Sequence, residues 1–278
     1  MKKKPEGGMK EAIKNGVDGY YFDRASSRRG SESNQHYHTG FEIYYMKEGR
    51  CRYFIDDRSY DVISGDVIVI PMGVIHRTNY GSQPHSRLLI NFTEEFIPES
   101  VRGRIGELEH LYRTSEITAR IEDILLRIER ECTEHDDEMT VDALRCYTGE
   151  IFFLLLRSKI SHEEAKGNNA LVEQVVKYIQ RNYMHEIRLS QVARMLSVSA
   201  EHLSRLFKKS TGFGFNEYVT LVRLQKAEYM LKNEPGRSIS EVAYACGFND
   251  GNYFSYKFKQ VYGIPPTRVR GTDNRSEN

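Results

Sequence analysis

The sequence predicts a two-domain α+β protein, in which a β-rich N-terminal domain with two following helices precedes an all-helical C-terminal domain. Three observations support this fold class. Turn-forming residues recur every eight to twelve positions between residues 20 and 92, as in a β-sandwich or small barrel. Apolar residues then follow a helical period between residues 116 and 158. The last third of the chain contains an internal repeat of a two-helix unit.

Composition and charge are those of a globular protein with unevenly distributed charge. A chain of 278 residues with 39% apolar and 28% charged residues fits two domains of ordinary size. The net charge is +1, but from residue 168 onward 16 Lys and Arg stand against 10 Asp and Glu, so that the rear part carries +6 and the front part −5. This asymmetry favours a polyanionic partner for the rear part only.

Targeting and cysteine patterns favour a cytoplasmic protein. The longest uncharged apolar run, Ile151–Leu156, is far shorter than the roughly 18–20 residues that span a bilayer, so no membrane partner is expected. The N-terminus, MKKKPEGG, is basic but lacks the apolar stretch of a secretion signal. The four cysteines form no CxxC pair, which argues against a zinc knuckle or a disulfide framework.

The first elements are predicted to be strands. Residues 1–20 are polar and contain glycine, so we expect a flexible arm before a domain that covers residues 21–160. Runs rich in Val, Ile, Tyr and Phe alternate with Gly, Pro and Asp-Asp, and they are Phe41–Lys47, Arg52–Ile55, Asp66–Ile70 and Leu88–Phe92. This spacing predicts a sandwich or barrel without helices.

Two helices are predicted next, at about residues 116–158. The first has one apolar face, made by Ile117, Ile121, Ile124, Leu125, Ile128 and Cys132. The second runs from about Val141 to Ser158. Both helices would pack on the β-domain. Because Ile151–Leu156 is apolar on more than one face, we also expect the helices to pair between the subunits of a homodimer. The polar segment 161–169 predicts a linker to a domain at 170–272.

An internal repeat organises this C-terminal domain. Residues 188–212 align with residues 238–263 at an offset of 50 positions, which becomes 51 after a one-residue insertion. The identical pairs are Ser190/Ser240, Val192/Val242, Ala193/Ala243, Ser204/Ser255, Phe207/Phe258, Lys208/Lys259 and Gly212/Gly263. Each copy predicts a short helix, a tight turn and a second helix that ends at glycine.

The turn and cap residues fit this unit. Gly247 tolerates positive φ at the second turn, whereas the first copy has Ser197 at the matching position, so the first turn is less ideal. Ser199 and Asp250 are suitable N-caps for the two second helices.

A long amphipathic helix is predicted between the copies, from Phe215 to Lys232. Its apolar face consists of Val219, Val222, Ala227, Met230 and Leu231. Such a rod would hold both second helices toward one face of a DNA duplex, where they could enter successive major grooves about 34 Å apart. The alternative is a protein-binding solenoid, but two units are too few to bury a continuous core.

This segment resembles the AraC/XylS family of transcription regulators. The resemblance covers residues 187–270 and is carried by LSQVARMLSVSAEHLSRLFKKSTGFGFNEYVTLVRLQKAEYMLK and ISEVAYACGFNDGNYFSYKFKQVYGIPPTRVR. The pattern GF-x-D-x-x-YF-x-x-x-FK-x-x-x-G-x-x-P within it is highly specific. The resemblance implies a domain of two helix-turn-helix units that binds operator DNA, and an interaction with RNA polymerase if the protein is an activator.

The first recognition helix offers three outward residues and two phosphate-facing lysines. Leu203, Leu206 and Phe207 are expected in the core, which leaves Glu201, Ser204, Arg205, Lys208 and Lys209 facing DNA. Arg205 suits guanine and Glu201 suits the amino group of cytosine, each contact contributing about 1–3 kcal/mol of discrimination. Removing Arg205 should relax the preference for particular DNA sequences, whereas removing Lys208 should weaken binding to all DNA sequences alike.

The second recognition helix has a different outward set. Phe254 and Phe258 are expected in the core, which leaves Gly251, Asn252, Ser255, Tyr256 and Lys259 facing DNA, with Lys257 nearby. Asn252 suits adenine. The family often has arginine where this chain has Tyr256, so this helix is expected mainly to position the protein on the DNA backbone.

The front half contains a cluster of histidines. On a strand His36 and His38 project from one face, because the side-chain period is two. With Glu42 and His76 from neighbouring strands they would form a donor set of three imidazoles and one carboxylate, which suits Zn²⁺, Fe²⁺, Mn²⁺ or Ni²⁺.

The same residues resemble the two motifs of the cupin barrel. The resemblance covers about residues 30–92 through HYHTGFE, Gly49, Gly65, Pro71, Gly73 and His76, with the spacing from His76 to Asn79 one residue short. It implies a cupin β-barrel and, within this regulator family, an organic effector that is a sugar or related metabolite. The expected pocket is His36, His38, Glu42 and His76, with Tyr44 and Arg77 as wall residues.

Two alternatives remain for this domain: a metal-dependent sensor, or a metal-dependent cupin enzyme fused to a DNA-binding domain. Because the chain carries a complete DNA-binding pattern, we expect a sensor without catalytic activity and without a certain cofactor. Binding of the effector would shift the packing of the arm, the barrel and the two helices, and so change how paired DNA-binding domains sit on two half-sites.

Overall fold

The N-terminal part folds as two antiparallel sheets. The computed structural model describes residues 17–27, 40–113, 115–158 and 170–269, of which those up to 158 belong to one compact unit and those from 170 to another. The strands of the first unit are β1 (Tyr20–Ser27), β2 (Phe41–Glu48), β3 (Arg50–Ile55), β4 (Arg58–Ile63), β5 (Val67–Ile70), β6 (His76–Asn79), β7 (His85–Phe92) and β8 (Leu111–Tyr112). One sheet has the order β1-β7-β2-β5-β8 and the other β4-β3-β6.

Strand β2 shows how the layers are assembled. Its residues alternate between two apolar clusters, as the period of a strand requires. Phe41, Ile43 and Tyr45 pack against helices that cover the five-stranded sheet. Tyr44 and Met46 point the other way, into a cluster shared with the three-stranded sheet. The expected β-rich cupin-like domain is confirmed, and its described strands form two facing sheets that are not closed into a continuous barrel.

Helices follow the strands, as predicted. Two 3₁₀ turns (Glu94–Phe96 and Ile105–Glu107) flank the short helix α1 (Glu99–Arg102). The long helices are α2 (Glu116–Glu134) and α3 (Glu138–Arg157). Each begins with a capping box: the side chains of Ser115 and Asp137 accept hydrogen bonds from the backbone of the first turn, and the hydroxyls of Thr118 and Thr140 accept the N–H of the cap residue in return. The predicted apolar face of α2 is buried, apart from a half-buried Ile117.

The C-terminal unit is helical throughout its described residues. Its helices are α4 (Ala170–Asn182), α5 (Leu189–Met195), α6 (Ala200–Thr211), α7 (Phe215–Asn233), α8 (Ile239–Ala245), α9 (Gly251–Tyr262) and α10 (Pro266–Val269). Helices α5–α6 and α8–α9 are the two repeats, with Ser199 and Asp250 as the predicted N-caps. The expected arm (1–20) and linker (161–169) lie largely or wholly outside the described residues, so those boundaries stay predictions.

Helix α7 forms the centre of this unit. Near its start Phe215 and Tyr218 contact Phe207 of the first repeat, with ring centroids 5.9 and 5.6 Å apart. Farther along, Leu224, Ala227 and Leu231 share a buried cluster with the second repeat. One helix therefore supplies core residues to both helix-turn-helix units.

The turn of each repeat has the same left-handed backbone conformation. Gly247 has φ 84° and Ser197, its counterpart in the first repeat, has φ 57°. A left-handed residue with a side chain costs about 1–2 kcal/mol, whereas glycine adopts this conformation without that cost. The first turn is therefore strained where the second is not, as the sequence predicts.

Replacing Ser197 by glycine should stabilise the first repeat. The substitution relieves the left-handed strain but adds freedom to the unfolded chain, so we expect a net gain of about 0.5–1 kcal/mol. Hydrogen exchange of the α5 and α6 amides in the full-length chain measures this local free energy. Ser197→Ala is the control and should leave it nearly unchanged, and a loss of protection in Ser197→Gly would contradict the strain.

Candidate nucleic-acid interface and ligand pocket

The first recognition helix, α6, presents the predicted outward residues. Leu203 and Phe207 are buried and Leu206 is half-buried, which fixes the rotation of the helix. The exposed residues are Glu201, Ser204, Arg205, Lys208 and Lys209. The Ser199 hydroxyl accepts the N–H of His202 at the start of the helix. This face combines side chains that can contact base edges with lysines that can contact phosphates.

The second recognition helix, α9, presents a more aromatic face. Phe254 and Phe258 are buried, whereas Asn252, Tyr256 and Lys259 are exposed and Gly251 and Ser255 are half-buried. Tyr253 is also exposed, although the sequence pattern did not single it out. The Nζ atom of Lys257 lies 5.9 Å from the ring centre of Tyr253 and 5.7 Å from that of Tyr256.

Arg223 of α7 joins the two repeats. Its Nε and Nη2 atoms donate to the backbone oxygens of Tyr183 and His185, both at 2.8 Å, in the segment between α4 and α5. The guanidinium also lies 5.9 Å from the ring centre of Phe248, in the turn of the second repeat. Gly247 packs against the same segment, because a Cβ atom there would lie 2.6 Å from the Tyr183 oxygen. The two helix-turn-helix units are thus connected through α7 and the segment between α4 and α5.

Polar side chains cluster between the sheets of the N-terminal unit. Glu42 and His76 are only 2% and 1% exposed. The Tyr53 hydroxyl donates to Glu42 Oε1 at 2.5 Å, and His76 Nε2 lies 3.9 Å from Glu42 Oε2. His76 Nδ1 is 2.8 Å from the Val74 backbone oxygen and therefore donates to it. Burial, followed by the Glu42 carboxylate, raises the pKa of Tyr53 well above its usual value, so this hydroxyl keeps its proton.

The two predicted wall residues lie in different surroundings. Tyr44 is buried between the sheets, where its hydroxyl is 3.4 Å from that of Tyr80 and its ring meets that of Tyr53 edge-on. Arg77 is half-buried and stands between the inward-facing His76 and Thr78 on β6. Because side chains alternate along a strand, Arg77 belongs to the opposite face of that sheet. Tyr44 is brought together with Glu42 and His76, and Arg77 is not.

Arg87 on β7 also belongs to this interior, although it is not among the residues that the sequence predicts there. Its side chain is 16% exposed, and Nη2 donates to Asp23 Oδ2 at 2.7 Å. Among the described residues Nη1 has no acceptor, although it is buried. Burial opposes the charge, but Tyr80 and Asp23 outweigh it, and the pKa of Arg87 lies above its usual value. A buried donor without an acceptor carries a free-energy cost that a bound ligand with an oxygen acceptor would remove.

The described residues do not form a metal site by themselves. No group of three or more His, Cys, Asp or Glu side chains among them could hold a metal ion. Glu42 and His76 would supply two ligands, fewer than the three or four protein ligands of known zinc sites. The predicted ligands His36 and His38 lie outside the described residues.

None of the described helices is long and apolar enough to cross a membrane.

Comparison with known proteins gives two family matches and related regulators. Residues 20–144 match the AraC-like ligand binding domain, and residues 192–272 match a helix-turn-helix domain family. The chain is 27% identical to the Msm operon regulatory protein of Streptococcus mutans, over 93% of this chain and 96% of that protein. It is 24% identical to the HTH-type transcriptional activator RhaS of Klebsiella pneumoniae, over 85% of this chain and 87% of RhaS. Among solved structures, apo ToxT from Vibrio cholerae aligns with a TM-score of 0.41 and 14% identity, over 93% of this chain and 99% of ToxT.

Proposed function

Because this chain is an AraC-type transcription regulator with an N-terminal ligand-binding domain, we propose that a polyhydroxylated metabolite, such as a sugar, binds between the two sheets and controls DNA binding. The observation that supports this is the buried cluster of Glu42, Tyr53 and His76, together with the largely buried side chain of Arg87, whose Nη1 has no acceptor among the described residues. A transcription regulator needs no catalytic step, so we expect no turnover, and we expect it to act in the cytoplasm, where its DNA is.

The chemistry of the pocket favours hydroxyl groups on the ligand. The Glu42 carboxylate can accept hydrogen bonds from ligand hydroxyls, while Arg87 Nη1 can donate to a ligand oxygen. The rings of Tyr44 and Tyr53 add flat apolar surface beside Glu42. The Asp23 carboxylate already pairs with the Arg87 guanidinium, and the buried Glu42 carboxylate adds a further negative charge, so the balance of charge favours a neutral ligand over an anionic one.

Strand β2 offers a route from the pocket to the helices. Glu42 and Tyr44 face the space between the sheets, whereas the alternating residues Phe41, Ile43 and Tyr45 pack against α2 and α3. The Tyr45 hydroxyl donates to Glu122 of α2 at 2.7 Å. A ligand that binds more tightly to one position of β2 would therefore also favour one position of α2 and α3. Such a difference in affinity between two arrangements is what a population shift requires.

We propose that α3 carries this change to a second subunit. Phe153 and Met139 are exposed on α3 and offer apolar surface on which a partner helix could pack. Pairing of this helix in a homodimer would place two DNA-binding domains on two half-sites. In an activator, the same change would alter contact with RNA polymerase.

Removing either pocket group should weaken ligand binding by about 10- to 150-fold. Full-length protein is screened by thermal shift against neutral mono- and disaccharides, and the affinity of the best ligand is then measured for Glu42→Gln and Arg87→Met. Each variant loses a hydrogen bond to a charged group, which contributes about 1.5–3 kcal/mol. We expect the same ligand to change the affinity of the wild-type protein for DNA.

Exposed residues on the same sheets provide the controls. Glu48→Gln, on the same strand as Glu42, and Arg52→Met, in an exposed ion pair with Asp61, should bind the ligand as the wild type does. The proposal is wrong if no neutral sugar binds, or if Glu42→Gln and Arg87→Met bind it unchanged while remaining folded.

A further inference from the structure

The two repeats place different side chains at the same positions of their recognition helices. The offset of 51 residues that pairs Ser204 with Ser255 and Lys208 with Lys259 also pairs Glu201 with Asn252 and Arg205 with Tyr256. All four residues of the last two pairs are exposed. Both helices begin with a side-chain N-cap and bury two residues of matching position, so their outward faces correspond. A difference in side chain is therefore a difference in what each helix can read.

The chemistry of the two pairs matches different base pairs. In the major groove arginine suits the two acceptors of guanine and glutamate suits the amino group of cytosine. Asparagine suits adenine, and an apolar surface suits the methyl group of thymine. A tyrosine ring that is 63% exposed is the apolar surface that α9 offers at this position.

We propose that the two helix-turn-helix units read subsites of opposite composition: α6 reads G·C pairs through Glu201 and Arg205, and α9 reads A·T pairs through Asn252 and Tyr256, with the Tyr256 ring against a thymine methyl group. The inference rests on DNA binding through α6 and α9 and is independent of the effector. It makes Tyr256 a specificity-determining residue, in contrast to the mainly positioning role that the sequence predicts for α9.

The surroundings of Tyr256 favour contact through its ring. Lys257 Nζ lies near the rings of Tyr253 and Tyr256 and donates to Gln260 Oε1 at 3.0 Å, so this lysine lies along the helix beside the rings. The Asp250 carboxylate accepts the backbone N–H groups of Asn252 and Tyr253 at 2.7 and 2.9 Å. With its first turn capped by a carboxylate, α9 has little attraction for a phosphate at that end, which leaves side chains to make the contacts.

The test begins with selection of DNA by the full-length protein from a random duplex library. We expect two subsites about one helical turn apart, one with conserved G·C pairs and one with conserved A·T pairs. Deoxyuridine is then placed at each conserved thymine of the second subsite, which removes only the methyl group. Loss of one buried methyl contact should weaken wild-type binding roughly fourfold.

Variants assign the effect to Tyr256. In Tyr256→Ser the deoxyuridine substitution should no longer change the affinity for DNA. In Tyr256→Phe it should weaken the affinity as much as it does in the wild type. Tyr256→Arg should change the conserved thymine to guanine in a new selection. Tyr244→Ser, which removes a tyrosine that is 61% exposed on α8, is the control and should leave the selected sequence unchanged.

Two results would overturn the inference while leaving DNA binding intact. One is a selected sequence without conserved A·T pairs in the second subsite. The other is equal wild-type affinity for thymine and deoxyuridine DNA. Failure of the wild-type protein to select any sequence would instead contradict specific DNA binding itself, so the two failures are distinguishable.

Discussion

Gly247→Ala should destabilise the C-terminal unit by about 2–4 kcal/mol and abolish most DNA binding. Alanine pays about 1–2 kcal/mol for the left-handed conformation at φ 84°. Its Cβ atom would also lie 2.6 Å from the Tyr183 oxygen and 2.9 Å from the Met184 oxygen, and both are backbone atoms that cannot move without shifting the chain between α4 and α5. A loss of this size is a large part of the stability of an ordinary domain.

Hydrogen exchange of the α8 and α9 amides, together with DNA affinity, measures the effect in the full-length protein. Gly236→Ala is the matched control, because a Cβ atom there meets nothing within 4 Å and its φ is not positive. It should leave exchange and affinity nearly unchanged. If Gly247→Ala were as stable as Gly236→Ala, the close packing of this turn against the α4–α5 segment would be contradicted.

Arg205→Ala should reduce discrimination between the selected DNA and unrelated DNA by about 1–3 kcal/mol. The exposed guanidinium on α6 is suited to two hydrogen bonds with one guanine, and alanine cannot replace them. Binding to unrelated DNA should change much less. The measurement is a pair of binding titrations, one with selected and one with scrambled duplex, at the same salt concentration.

Lys208→Ala on the same helix is the matched comparison. Lys208 is exposed one turn farther along α6, where it can contact a phosphate. We expect weaker binding to both duplexes by a similar factor, and a slope of log affinity against log salt that is smaller by about one. Unchanged discrimination in Arg205→Ala would show that this residue does not contact a base.

Repeating local patterns in the sequence predicted α2, α3, α7 and the helices of the two repeats. The buried face of α2 follows from a period of 3.6 residues, and the caps Ser199 and Asp250 follow from their positions before apolar helices. The special turn of the second repeat follows from Gly247. Each of these features depends on residues that are close together along the chain.

The pocket depends on pairing between distant strands, and here the sequence was less informative. The run of apolar residues predicts a strand from Leu88, but β7 begins at His85, so Arg87 was not considered as an inward residue. Only its position beside Asp23 of β1, 64 residues away, reveals its role. For Arg77 a local rule was available, because a neighbour of His76 on a strand faces the other side.

The bridge made by Arg223 has a consequence for the DNA. Because α7 and the segment held by Arg223 connect both repeats, the separation of α6 and α9 cannot easily adjust to a given duplex. Any mismatch with the helical repeat of DNA must then be taken up by curvature of the duplex, which costs of order 1–6 kcal/mol for bends of about 40–90°. The base steps between the two subsites would influence affinity through their flexibility, although no side chain touches them, and easily kinked pyrimidine–purine steps would be favoured there.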